Sequence, residues 1–244
     1  MPKARILVVD DEVQLQKALR LRLEREGYEV VTAGDGEEAL RLFNETRPDL
    51  VILDVMLPQL DGFGVLAELR ATSDTPVIIL SARGDELDKL VGFRLGVDDY
   101  MTKPFSLAEL VLRVAAILRR VQGRTTGGSR SQVLRFPRLE VDAGRRQVRR
   151  DGQPVRLTAK EFDLLWLLAS HPETVFSREQ ILQHVWQSDD PGDLNNVTVL
   201  VSRVREKLEP DPAHPVFIET VRGVGYRFAG ETSARSGRAT LVQG

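Results

Sequence analysis

The sequence predicts an α/β domain on a doubly wound, five-stranded parallel sheet, followed by a smaller α+β domain. Three observations carry this. The first half alternates short β-branched runs with longer amphipathic stretches, the pattern of a parallel sheet covered by helices. A polar, glycine-bearing stretch then interrupts the pattern, and after it come short alternating strands, three helices and a hairpin. The length of 244 residues suits two domains of roughly 100 to 150 residues each.

The strands expected in the first domain are Arg5 to Val9, Glu29 to Ala33, Leu50 to Leu53, Pro76 to Leu80 and Asp98 to Met101. Helical segments lie between them and after the last. In the first, Leu15, Leu19 and Leu23 recur every four residues and make one apolar stripe; in the last, Leu110, Val114, Ile117 and Leu118 do the same. This domain is expected to span residues 1–121. Residues 122–131 are polar with three glycines and read as a flexible linker. A second domain is expected over residues 132–230 and a disordered tail over 231–244. Within the second domain, strands are expected at Leu134 to Phe136, Leu139 to Val141, Gln147 to Arg149 and Val155 to Leu157. Capping boxes at Thr158 with Glu161 and at Ser177 with Gln180 then open two helices. A third helix over Asn195 to Leu208 puts Val197, Val201, Val204 and Leu208 on one face, and Val216 to Thr220 with Tyr226 to Phe228 form a hairpin.

Composition narrows the chemistry. The chain has no cysteine, which excludes disulfides, thiolate catalysis and Cys-based zinc sites, and His171, His184 and His214 lack metal-site spacing. Any metal must be held by oxygen. No run approaches the roughly 20 apolar residues needed to cross a bilayer, so no membrane role and a cytoplasmic location are expected. The net charge of -2 hides an asymmetry: residues 1–121 carry 16 Lys/Arg against 21 Asp/Glu, and the remainder 18 against 15. The C-terminal half is the better candidate for a polyanionic partner.

In an open parallel sheet, ligands bind beyond the carboxyl ends of the strands. That rule selects Asp10 and Asp11 after the first strand, Asp54 after the third, Ser81 after the fourth and Lys103 after the fifth. Three carboxylates at one site repel unless a cation sits among them, and Mg²⁺ fits an all-oxygen set. Asp11 and Asp54 are the expected direct ligands, Asp10 a water-mediated one, and the Met56 carbonyl a further oxygen. Asp54 is then a nucleophile able to form an acyl phosphate, with Lys103 neutralising the transferred oxygens and Ser81 bonding one of them. The plainer alternatives are that Asp54 only caps a helix and that Lys103 only pairs with an acid. A phosphatase with an aspartyl-phosphate intermediate would want a second acid two residues after the nucleophile, where Met56 stands. No enzymatic turnover is expected.

The segments VVDDE, LDVMLPQLDG, ILSAR and GVDDYMTKPF resemble the receiver domain of bacterial two-component response regulators. The resemblance implies Asp54 as phosphoacceptor, Asp10 and Asp11 as its acidic pocket, Ser81 as switch hydroxyl, Lys103 as site lysine and Tyr100 as the aromatic that swings inward. It also implies a dimer surface through Lys89, Asp98, Asp99, Glu109, Arg113 and Arg120, with Lys89 to Glu109 and Asp99 to Arg113 as charge pairs.

In the second domain the face of the third helix opposite its apolar stripe offers Asn195, Thr198, Val199, Ser202 and Arg203, with Arg205 beside it, a set suited to a major groove. Arg222 sits at a glycine-rich hairpin tip suited to a narrow groove. Tyr226 is either a phosphate contact or hairpin core. The segments LTAKEFDLLWLLASHPETVFSREQILQHVW, VSRVREKLEPDP and IETVRGVGYRF are similar to the winged helix-turn-helix effector of the OmpR/PhoB family. By position this resemblance adds Asn196 to the DNA-contact set and gives Arg222 and Tyr226 wing roles. Ser202 and Leu200 depart from residues common in that family, so the operator cannot be inferred from it. Together the resemblances imply a transcriptional regulator partnered by a sensor histidine kinase, double-stranded DNA, a second copy of itself and RNA polymerase. A rival reading keeps the DNA binding and makes the receiver a dimerisation module that works without phosphorylation.

Overall fold

The computed structural model describes residues 4–82, 95–121, 133–186 and 194–229. The chain divides into two compact units, drawn mainly from residues 1–129 and 130–244.

In the first unit, strands β1 (Arg5–Val9), β2 (Glu29–Ala33), β3 (Leu50–Asp54), β4 (Val77–Ala82) and β5 (Asp99–Lys103) form one sheet in the order β2-β1-β3-β4-β5. All four pairings are parallel. Helices α1 (Val13–Arg25), α2 (Gly36–Thr46), α3 (Gly62–Thr72) and α4 (Leu107–Val121) cover it. The helix expected between β4 and β5, with Lys89 on it, lies outside the described residues.

The central strands are apolar throughout because both faces are covered, and the two-residue alternation of a strand sorts their side chains. Ile6, Val8, Ile52 and Leu80 pack toward α1 and α4 with Leu19, Leu23, Leu110 and Val114. Leu7, Val9, Leu53 and Ile79 pack on the other side with Phe43, Val65 and Leu66 of α2 and α3. The leucine stripes read from the sequence are therefore the buried faces of α1 and α4. Strand β1 lies between β2 and β3, so the strand order reverses at β1, which is where the carboxyl-end rule places a ligand.

The second unit opens with an antiparallel sheet of β6 (Val133–Phe136), β7 (Leu139–Asp142), β8 (Gln147–Arg150) and β9 (Gln153–Val155). Strand β9 lies two residues earlier than the expected Val155 to Leu157. Helices α5 (Ala159–Ala169), α6 (Arg178–Trp186) and α7 (Asn195–Leu208) follow, then the hairpin of β11 (Ile218–Val221) and β12 (Gly225–Phe228). A two-residue strand, β10 (Phe176–Ser177), pairs with β12 and makes the hairpin three-stranded. The capping box at Ser177 is complete: its N–H donates to the Gln180 side chain at 2.9 Å and its hydroxyl accepts from the Gln180 N–H at 3.2 Å. At Thr158 the backbone N–H donates to Glu161 at 2.8 Å. The expected linker and tail lie outside the described residues.

Candidate functional site

The acidic site is assembled by strand register. Asp54 ends β3 opposite Leu80 of β4, so Ser81 stands one residue further along the same sheet edge, and Ala82 pairs with Lys103 of β5. Asp10 follows β1 directly. Asp10, Asp54 and Ser81 are buried, whereas Asp11 is exposed.

Lys103 ties the site together. Its Nζ donates to Asp10 Oδ2 at 2.8 Å and to Asp54 Oδ2 at 2.5 Å. The remaining oxygens also accept bonds, Asp10 Oδ1 from the Glu12 N–H at 2.9 Å and Asp54 Oδ1 from the Met56 N–H at 3.2 Å. Burial pushes the Asp54 carboxyl above its usual range, with Asp10 adding to the rise and Lys103 and the Met56 N–H opposing it. For Lys103, burial alone would lower the ammonium, but Asp10 and Asp54 outweigh it and hold its pKa up. The site therefore contains a cation clamped between two buried carboxylates. The Lys103–Pro104 peptide is cis.

The donor chemistry suits a hard divalent ion. Asp10, Asp11 and Asp54 each offer a carboxylate oxygen, and these atoms lie within 4.8 Å of one another. Met56 is exposed, with its backbone fixed through the bond to Asp54. The Ser81 hydroxyl donates to the Ala82 carbonyl at 3.3 Å. Tyr100 packs partly buried against the α2 and α3 side of the sheet.

Three further residues, Asp61, Gly62 and Gln16, shape this edge. Asp61 caps α3 by accepting from the Gly64 N–H, and Gly62 donates its N–H to the Val55 carbonyl at 2.9 Å. A Cβ on Gly62 would stand 2.1 Å from the Asp54 carbonyl oxygen, so this glycine permits α3 to start directly against the backbone of Asp54. The segment LDVMLPQLDG contains Asp61 and Gly62, but neither was marked there as a site residue. Gln16 of α1 donates to the carbonyls of Asp10 and Ala33 at 2.6 and 3.1 Å, and no sequence motif marked it.

Of the expected dimer-surface residues, Asp99 and Glu109 both pair with Arg113, at 2.9 and 2.7 Å, inside one chain. Asp98 is corrected. It is buried, and its Oδ2 accepts from Arg70 and from the Val77 N–H, both at 2.9 Å. Its carboxylate is used to fasten the start of β4 rather than to face a partner. Lys89 and the Arg120 side chain lie outside the described residues.

In the second unit, α7 buries Val197, Leu200, Val201, Val204 and Leu208 and leaves Asn195, Thr198 and Ser202 exposed, with Val199 and Arg203 half-buried. Arg222 and Val224 are exposed at the hairpin turn. Three expected contacts are placed elsewhere. Asn196 is buried on the apolar side of α7. Tyr226 is buried, its hydroxyl donating to Thr198 Oγ1 at 3.4 Å, so the hairpin-core alternative holds. Arg205 donates to the Ile218 carbonyl at 2.7 and 3.0 Å and to Thr220 Oγ1 at 2.8 Å, and its guanidinium lies 5.8 Å from the Tyr226 ring centre. Tyr226 and Arg205 fix the hairpin to α7.

Glu209, unmarked in the sequence, is buried just past α7. Its carboxylate accepts from three consecutive backbone N–H groups, Val216 at 2.8 Å, Phe217 at 3.0 Å and Ile218 at 2.9 Å. It thereby sets where β11 begins. Followed by a proline, a glutamate at a helix end reads as surface, which hides this role.

Comparison with known proteins agrees with both halves. Residues 6–115 match the response regulator receiver domain, and residues 152–228 match the family described as "Transcriptional regulatory protein, C terminal". The chain is 49% identical over 230 residues to the probable transcriptional regulator ycf27 of Cyanophora paradoxa, covering 93% of this chain and 96% of that one. It is 45% identical over 229 residues to the transcriptional regulatory protein SrrA of Staphylococcus aureus, covering 91% and 94%. Among solved structures, a RitR mutant is similar with a TM-score of 0.72 and 31% identity, covering 92% of this chain and 98% of that one. Among the described residues no helix is long and apolar enough to cross a membrane. The chain belongs to the OmpR/PhoB-type response regulators, transcriptional regulators that join a receiver domain to a winged-helix DNA-binding domain.

Proposed function

We propose that this protein is a phosphorylation-controlled regulator in which a sensor histidine kinase transfers a phosphoryl group to Asp54. The observation that carries this reading is the buried Asp54 carboxylate bonded to Lys103 at 2.5 Å beside Asp10 and Asp11. A phosphoryl group brings negative charge and needs compensation, and Lys103 stands where the transferred oxygens arrive. One Asp54 oxygen forms the P–O bond while the P–N bond of the kinase phosphohistidine breaks, and its electron pair returns to the imidazole. Mg²⁺ held by Asp11, Asp54 and the Met56 carbonyl, with Asp10 through water, supplies further positive charge at those oxygens when bound.

The Ser81 hydroxyl then exchanges the Ala82 carbonyl for a phosphoryl oxygen, and Tyr100 turns inward behind it. On the outer surface, Asp99, Glu109 and Arg113 exchange pairs within the chain for pairs with a second copy. Dimerisation raises the effective concentration of the second DNA-binding domain at an adjacent half-site. The groove-facing set is Asn195, Thr198, Val199, Ser202 and Arg203 of α7, with Arg222 at the hairpin tip. Arg205 and Tyr226 support that set from behind. DNA occupancy is then passed to RNA polymerase, in the cytoplasm.

Two measurements test the reading. Incubation with a small-molecule phosphodonor and Mg²⁺ is expected to add one phosphoryl group to the intact mass, and Asp54→Asn to abolish the addition. Selection of bound DNA fragments with and without the phosphodonor is expected to enrich a paired half-site only in the phosphorylated sample. Equal enrichment in both samples would favour a receiver that dimerises without phosphorylation.

A further inference from the structure

We infer that Gln16 is a positioning residue for the acidic pocket, fixing the peptide between Asp10 and Asp11 and thereby setting the pocket's affinity for a divalent cation. The inference rests on the proposed cation-binding role of Asp10, Asp11 and Asp54.

Three chain segments meet at the Gln16 amide. Its Nε2 donates to the Asp10 carbonyl at 2.6 Å and to the Ala33 carbonyl at 3.1 Å. The Asp10 N–H donates to the same Ala33 carbonyl at 3.2 Å. The start of α1 is thus bonded to the ends of β1 and β2. Val9 is the last β1 residue in register with both β2 and β3, so the Asp10 carbonyl lies past the sheet ladder.

The consequence falls on Asp11. The Asp10 carbonyl and the Asp11 N–H belong to one planar peptide unit, so holding the carbonyl oxygen fixes the direction in which the chain enters Asp11. The Asp10 carboxylate has its own restraints in the Glu12 N–H and Lys103. Asp11 is exposed, and packing does not orient it. Its carboxylate is aimed by its backbone, and Gln16 holds that backbone.

Helix capping does not account for this conformation. The first turn of a helix presents N–H groups that need acceptors. The Gln16 Nε2 is a donor turned toward carbonyls, so it accepts from none of those N–H groups, and the Glu12 N–H at the helix start is taken by Asp10 Oδ1 instead. Its geometry serves the loop.

The test is titration of the full chain with MgCl2 alone, by calorimetry in phosphate-free buffer. Gln16→Met keeps the length and helix preference of the side chain and removes the donor. It is expected to weaken Mg²⁺ binding about tenfold, the scale seen when a ligand's hydrogen-bonded support is removed. Its thermal midpoint in EDTA should stay close to that of the parent protein. Gln14→Met, at an exposed position on the same turn, is expected to leave the Mg²⁺ affinity unchanged. If Gln16→Met fails to fold, Gln16→Asn retains the amide but loses its reach, and the same weakening is expected. A Gln16 variant that folds and binds Mg²⁺ as tightly as the parent overturns the inference. A flat titration of the parent protein overturns the cation-binding reading itself, and this inference with it.

Discussion

At the scale of single residues, two carboxylates illustrate what burial does to a charge. Glu209 satisfies three backbone N–H groups at the entry to β11. Glu209→Ala leaves these donors without their acceptor, and a loss of roughly 3 kcal/mol is expected. Both tryptophans, Trp166 and Trp186, lie in the second unit, so their fluorescence during urea unfolding reads this loss directly. Lys103 has the reverse task, since it is the cation between buried Asp10 and Asp54. Lys103→Met leaves two close carboxylates uncompensated and is expected to lower the thermal midpoint in EDTA, with added Mg²⁺ restoring part of it. If Mg²⁺ restores nothing, these carboxylates do not share a cation. Asp10, Asp54 and Lys103 were legible in the sequence because each ends a strand at one edge of the sheet. Glu209 and Gln16 were not, because the groups they bond come from chain segments that only folding brings near.

At the scale of elements, the sequence was most informative where a period was long and a face fully buried. The stripe through Leu15, Leu19 and Leu23 and the face through Val197, Val201, Val204 and Leu208 appear as the inner sides of α1 and α7, although Leu15 itself is only partly buried. Short strands were harder. β10 has two residues and no period, and it exists because Gly225 lets β12 approach the Phe176 backbone. A Cβ on Gly225 would stand 1.9 Å from the Phe176 carbonyl oxygen. Gly225→Ala is therefore expected to separate β10 from β12 and to destabilise the second unit by about 1 to 3 kcal/mol. Faster amide exchange at Phe176 and Tyr226, the residues paired between β10 and β12, with the first unit unchanged, would show the effect. Unaltered exchange there would contradict it. Gly62→Ala tests the same kind of contact at the Asp54 backbone, and a slower phosphorylation of Asp54 is expected. The face of α7 read from helical spacing is exposed at Asn195, Thr198 and Ser202 and half-buried at Val199 and Arg203, whereas Asn196, added by family resemblance, is buried. Helical spacing gives the direction of a side chain but not the depth of the groove that receives it.

At the scale of the whole molecule, the family membership follows from both halves of the chain, while control of one half by the other is the proposed step. In that proposal the acidic pocket supplies a chemical state, and α7 with the hairpin tip supplies the DNA-facing surface. Communication through a two-state receiver requires that the phosphorylated and unphosphorylated forms differ in dimerisation by more than the thermal energy. Arg113 pairs with Asp99 and Glu109 within the chain, and in the proposed mechanism these pairs compete with a dimer contact. The most direct test measures DNA affinity and oligomeric state together for the parent protein and Asp54→Asn, each with and without a phosphodonor and Mg²⁺. The account predicts that the phosphodonor dimerises the parent and tightens its DNA binding, while Asp54→Asn responds in neither respect. An Asp54→Asn protein that dimerises and gains DNA affinity on phosphodonor addition would contradict it.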